Sequence, residues 1–158
     1  MLGKTSIAAI RSLLFLAGQD STLCWSPRRL AEILDESPTY LAKVARHLVK
    51  HRILEAEKGA KGGVRLGRRP EEITLLAVVE ACHGPVVGDY CRSARPSSTH
   101  CNFHRAAMEL HEAITGVLGR WTVADLLERP AALHEAVGGV TCLMAGAKGV
   151  LARMEARG

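Results

Sequence analysis

Ser26-Pro27 and Ser37-Pro38 repeat one helix-start signal within a short stretch, and this repetition limits the possible folds more than any other feature of the chain. A serine in extended conformation can cap the free amides of a first helical turn, and proline at the first helical position forfeits no hydrogen bond there. The first signal opens a short helix with Leu30, Ile33 and Leu34 as its buried stripe. The second opens a helix that buries Leu41, Val44, Ala45 and Leu48 and turns Thr39, Lys43, Arg46 and Lys50 outwards. Two capped helices this close have helix-turn-helix spacing. An earlier helix is expected over about residues 4–18, where Ile7, Ile10, Leu14 and Ala17 fall at helical intervals before Gly18-Gln-Asp-Ser breaks the pattern. Downstream, Ile53-Leu54 and Val64-Leu66 read as paired strands around a turn in which Gly59, Gly62 and Gly63 can take positive φ. The order predicts a winged helix-turn-helix, and a fold that is mainly α with a small β-wing.

Charge is concentrated on this segment. Residues 28–69 carry 11 Lys/Arg against 5 Asp/Glu, a local net of +6, whereas residues 70–158 carry 8 against 10, a net of −2. Phosphate binding requires such an excess, and a short helix projecting basic and polar side chains can enter a DNA major groove. Ser37, Thr39 and Tyr40 at the start of the third helix, with Lys43 and Arg46 one turn on, are the candidates for base or phosphate contact. Arg28, Arg29, Lys58 and Lys61 are candidates for phosphate or minor-groove contact. The alternative is a solvated basic face, or a winged-helix domain that binds protein.

Beyond the wing, Pro70-Glu-Glu is expected to open a fourth helix with its acidic residues in the first turn, and with Ile73, Leu76, Ala77 and Val79 on its apolar face. Residues 83–99 read as loop. A longer helix is expected from about 100 to 120, with Phe103, Ala107, Leu110, Ile114, Val117 and Trp121 on one face. That stripe lies outside the winged domain and reads as a dimerisation helix. Thr122-Val-Ala-Asp125 is a capping box for a last short helix stopped by Pro130, and a glycine-rich tail follows from about 138. The expected organisation is a DNA-binding domain over 1–82, a cysteine-bearing sensor loop over 83–104, a dimerisation helix and short C-terminal helix over 100–137, and a tail over 138–158.

Composition narrows the function classes. Hydrophobic residues make up 47% and aromatics only 4%, so the core must be mostly Leu, Ile, Val and Ala. No run of about 18 apolar residues suggests a membrane span. Met1-Leu-Gly-Lys-Thr-Ser lacks the pattern of a secretory signal, and a cytoplasmic protein is expected. Cysteines at 24, 82, 91, 101 and 142 are odd in number and irregular in spacing, which fits thiols or metal ligands better than a disulfide framework. No phosphate-binding glycine loop, nucleophile elbow or paired-carboxylate constellation supports an enzyme.

Ser37-x-x-Tyr40-Leu41, the wing Lys58-Gly59-x-x-Gly62-Gly63-x-x-Leu66, and Cys91 followed by Cys101-Asn-Phe-His104 at the head of the long helix together resemble the IscR/NsrR/CymR-type family of bacterial transcription regulators. The resemblance spans about residues 4–128. It implies a homodimer on a palindromic operator in double-stranded DNA, often as a repressor, and in many members an iron–sulfur cluster in the loop. Cluster-binding members usually show three cysteines with five residues between successive ones and a histidine three residues after the last. Here nine residues separate Cys91 from Cys101 and none is cysteine. The wing has Lys58 and Val64 where the family commonly has arginine and tyrosine.

Cys91, Cys101 and His104 are the candidate metal ligands, since thiolate and imidazole hold iron–sulfur clusters (a 2Fe-2S cluster is the form expected) and zinc. His100, Cys82, Asp89 or a group from a second subunit would supply a fourth donor. Two alternatives stand beside this: Cys91 and Cys101 as a redox pair closing a disulfide, and a cofactor-free regulator acting through a small effector or a protein partner.

Overall fold

The computed structural model describes residues 2–59, 62–86 and 101–128. Along them run α1 (Lys4–Ala17), α2 (Pro27–Leu34), α3 (Pro38–Lys50), β1 (Leu54–Glu57), β2 (Gly63–Leu66), a 3-10 turn (Pro70–Glu72), α4 (Leu75–His83), α5 (Asn102–Arg120) and α6 (Val123–Glu128). The result is the expected helical fold with one small antiparallel hairpin. No helix among the described residues is long and apolar enough to cross a membrane.

The core is built around α1. Ala8, Ala9, Ile10, Leu13, Phe15 and Leu16 are all buried, while Ile7, Leu14 and Ala17 are only half-buried. Burial is thus broader than the single stripe expected, because α2, α3, α4, α6 and β2 all pack on this helix and a helix with neighbours on most sides must be apolar on most sides. The buried hydroxyls of Ser6 and Ser12 donate to the carbonyls of Gly3 and Ala8, which settles them within the helix.

In α2 the Ser26 hydroxyl accepts from the Arg29 amide at 3.2 Å, as the cap signal predicts. Ser37 has the extended cap conformation, yet its side chain makes no cap hydrogen bond, so α3 starts on Pro38 geometry alone. Leu41, Val44, Ala45 and Leu48 are buried as expected. The chain leaves α3 through a Schellman motif: the amide of Ile53 donates to the Leu48 carbonyl and that of Arg52 to the Val49 carbonyl, with Arg52 left-handed at φ 56°.

The hairpin pairs Leu54 with Leu66, Glu55 with Arg65, Ala56 with Val64 and Glu57 with Gly63. Only Gly59 of the three turn glycines adopts positive φ, at 115°. Gly62 and Gly63 are required for a different reason, close backbone approach. A Cβ on Gly62 would collide with the Glu57 carbonyl, and one on Gly63 would lie 2.6 Å from the Trp25 carbonyl oxygen. That proximity comes from two 2.9 Å hydrogen bonds between Trp25 and Val64, which seam the wing to the segment entering α2.

The fourth helix starts later than the sequence suggested. Pro70–Glu72 forms a separate 3-10 turn, Ile73 is extended and buried, and α4 begins at Leu75 with the Thr74 hydroxyl accepting from Ala77. Non-local pairing outweighs the helix signal: the Leu75 amide donates to the Trp121 carbonyl at 2.8 Å, and the Val123 amide to the Ile73 carbonyl at 2.9 Å. The same clip fixes the end of α5. Beyond it the Thr122–Asp125 capping box forms as read, and α6 folds back onto α1. Most of the 83–99 loop, the stop at Pro130 and the tail from 138 lie outside the described residues.

Candidate nucleic-acid interface

The basic residues of the winged segment fall into two groups. Some are occupied. Arg65 reaches Glu55 at 3.1 Å and Glu57 at 2.6 Å, and these acceptors push its guanidinium pKa up. Arg69 pairs with Glu72 at 2.9 Å and holds that carboxyl below the usual carboxylate range. Arg68 donates to the carbonyls of His51 and Arg52, closing the C-terminal end of α3 where a cation is favoured. Arg28 lies 3.4 Å from Glu32, and Arg29 stacks over the Trp25 ring at 5.0 Å; both remain exposed.

The others are open. Lys43, Arg46 and Lys50 on α3, Arg52 just after it and Lys58 beyond β1 are exposed, and none makes an ion pair among the described residues. Since β1 carries Glu55 and Glu57 against the single Arg65, the positive character of the hairpin lies at its tip with Lys58. Lys61, three residues on in the sequence, lies outside the described residues.

At the head of α3, Ser37 and Thr39 are exposed. Tyr40 is half-buried in the seam with α1: its hydroxyl donates to Thr5 at 3.4 Å and the Lys4 ammonium sits 5.1 Å from its ring centre. Sequence reasoning missed this contribution of α1. It also missed Arg11, whose guanidinium donates to the Leu34 carbonyl at 2.9 Å and lies 3.6 Å from the Glu36 carboxylate, inside the helix-turn-helix turn. The available signal was a lone arginine in an apolar helix, which must find a partner.

Farther along, Cys101 is exposed at the N-cap of α5, and His104 is half-buried in its first turn. Cys91 lies outside the described residues. Among the described residues no three His, Cys, Asp or Glu side chains gather closely enough to hold a metal ion. Cys82, one of the candidate fourth donors, is half-buried near the end of α4, where burial pushes its thiol pKa up to about 11. The described donors alone therefore do not fit a cluster. Along α5, Phe103, Leu110 and Val117 are exposed and Ile114 is half-buried, Trp121 just after it is exposed, and Leu118, one turn on from Ile114, is buried. Met108, absent from the sequence stripe, is exposed as well.

A winged helix-turn-helix with an exposed cationic third helix defines the class of DNA-binding transcriptional regulators. The chain belongs to the Rrf2 family, described as iron-dependent transcriptional regulators, whose profile matches residues 2–129. It is 33% identical over 130 residues to the HTH-type transcriptional regulator NsrR of Geobacillus kaustophilus, covering 80% of this chain and 88% of that protein. To the regulator of the same name from Halalkalibacterium halodurans it is 35% identical over 123 residues, covering 75% and 84%. These relatives are named as regulators, not as enzymes. Among solved structures, CymR, the global cysteine regulator of B. subtilis, aligns with TM-score 0.66 at 19% identity over 83% of this chain and 98% of that one. T. potens IscR aligns with TM-score 0.62 at 20% identity, over 83% and 88%. Those two likenesses concern the fold alone.

Proposed function

We propose that the protein is a homodimeric, sequence-specific DNA-binding repressor whose α3 enters the major groove of each half of a palindromic operator. The observation that carries this reading is the division of charge just described: arginines around the hairpin are consumed by carboxylates and carbonyls, while Lys43 and Arg46 on the outer face of α3 stay open. Ser37 and Thr39 are offered to base edges or phosphates at the start of that helix, with Tyr40 steadied by α1 beside them. Arg28, Arg29, Lys58 and Lys61 are assigned to phosphates. Residues 1–82 form the reading domain, and α5 joins two copies through Phe103, Leu110, Ile114, Val117 and Trp121, an apolar row that the single chain leaves largely uncovered.

Cys91, Cys101 and His104 are proposed to modulate operator affinity. As ligands of an iron–sulfur cluster they would make operator affinity respond to iron supply and to oxidation, with His100, Cys82, Asp89 or a group of a second subunit as the fourth donor. A second reading, thiol oxidation of Cys101 with Cys91, is favoured by the exposure of Cys101, since an accessible thiol is the one an oxidant meets first.

Selection of duplexes from a pool with randomised centres, followed by anisotropy titration at several salt concentrations, tests the DNA reading. A two-fold symmetric consensus and affinity that falls steeply with salt are expected. Failure to enrich any sequence, or binding indifferent to salt, would refute it. Anaerobic purification with an absorption spectrum and iron and sulfide assays separates the two readings of the loop: a colourless, iron-free protein whose operator affinity responds to a thiol oxidant leaves only the second.

A further inference from the structure

At the C-terminal end of α3, beyond Lys43 and Arg46 and against the last turn of α4, the surface folds into a cleft of about 590 Å³ whose lining the operator reading does not assign. Its size is in the range of small-molecule sites, roughly 300–1,000 Å³. The lining divides by chemistry. Buried Ile53 and Ala81 give it an apolar floor. His47, Lys50 and His51 from α3 and its cap line one side, and His83 from the last turn of α4 lines the other. Glu80 is the one carboxylate among the described lining residues. No ion pair among the described residues holds Lys50 or any of the three imidazoles.

The negative end of α3 would ordinarily repel an anion here. Arg68 removes that obstacle, because its guanidinium lines the cleft and already covers the carbonyls of His51 and Arg52 at 3.0 and 3.1 Å. Net positive lining above an apolar floor selects a ligand with one charged and one greasy end.

We propose that this cleft binds a small organic carboxylate, its charge held by Lys50, His83 and the α3 imidazoles and its apolar part resting on Ile53 and Ala81. The position suits an effector. The cleft is walled by the helix that carries Lys43 and Arg46 and by the helix on which α5 packs, so an occupant favours one arrangement of the two. Binding itself does not depend on the operator reading and is measured without DNA.

The test is an amide NMR titration of the full chain at fixed ionic strength with butyrate and benzoate, using butyramide and benzamide as uncharged counterparts. Saturable shifts at Lys50, Ala81 and His83 are expected with the carboxylates and not with the amides. Lys50→Gln, at an exposed position, should weaken carboxylate binding by about tenfold while preserving the rest of the spectrum. His83→Gln serves as an independent second variant. Equal shifts with the amides, tighter binding of inorganic phosphate than of either carboxylate, absence of saturation, or affinity unchanged in both variants would overturn the proposal.

Discussion

Arg11 and Glu36 face one another at 3.6 Å with side chains only 12% and 14% exposed, joining the middle of α1 to the turn between α2 and α3. The same guanidinium donates to the carbonyl of Leu34, and Glu36 also meets Lys4 at 3.8 Å. Removing one partner of a largely buried pair strands the other charge. Arg11→Ala should lower unfolding free energy by about 2–4 kcal/mol in urea titrations, since it also frees a helix-end carbonyl. The double variant with Glu36→Gln should cost less than the sum of the two. Strict additivity would show that the pair is not coupled.

Lys43 and Arg46 should act on recognition and not on folding, because both are exposed and without ion-pair partners among the described residues. Alanine at either should cost about 1–3 kcal/mol of operator binding if that side chain reaches a base, with thermal stability unchanged. Lys58→Ala should instead weaken all duplexes alike and lower the magnitude of the salt slope by about one. Anisotropy on the selected operator and on scrambled DNA distinguishes these outcomes.

Arg52 occupies the left-handed position that closes α3, a place usually taken by glycine. A Cβ there costs about 1–2 kcal/mol, partly offset by the greater unfolded-state freedom of glycine. Arg52→Gly should therefore stabilise the fold by up to about 1 kcal/mol, and Arg52→Val should destabilise it, as read by urea midpoints.

Two titrations should act in opposite senses. The hydroxyl and amide of Thr122 both donate to Asp125 and hold its carboxyl below the usual range. The resulting stability is present above the unfolded carboxylate pKa, about 3.9, and is lost as pH falls through the lower folded value. Asp125→Asn should flatten the acid limb of the stability curve. Cys82 behaves conversely: its thiol is raised to about 11 by burial, so its contribution is intact below about 8.5 and fades as pH climbs towards 11. Alkylation near neutral pH should label Cys101 well before Cys82.

The apolar row on α5 makes an assembly prediction. Phe103 is 67% exposed and Leu110 56%, while only Leu118 of this helix is buried in the single chain. Leu110→Glu with Val117→Glu should convert a dimer in sedimentation velocity to a monomer with an unchanged helical spectrum, because buried carboxylates without partners are costly at an interface. A wild-type monomer at tens of micromolar would refute the pairing.

Local signals were legible wherever the cause was local. The periodicity of α3 identified its four buried residues, and Ser26 and Thr122 cap where their spacing said they would. Ser37, with the same signal as Ser26, turned out to make no side-chain cap. What escaped had distant partners: Ile73 extended by pairing with Val123, Gly63 needed because Trp25 passes so close, and Arg68 drawn to the end of α3. Basic residues look alike in a one-dimensional charge count, yet Arg65 is neutralised across the hairpin while Lys43 is free of such partners among the described residues. The candidate metal ligands were legible as residue types. Their assembly was not, since ligand geometry depends on how a loop returns to a helix.

The backbone clip between Ile73–Leu75 and Trp121–Val123 has a mechanical consequence. Hydrogen bonds on both sides of Thr122 leave no slack between the far end of α5 and the root of α4. A twist imposed on α5 would be delivered to the reading head as torque at a welded joint, with the rest of the helix as the lever arm. Under the proposed sensing role, weakening that joint should uncouple signal from grip while leaving each intact.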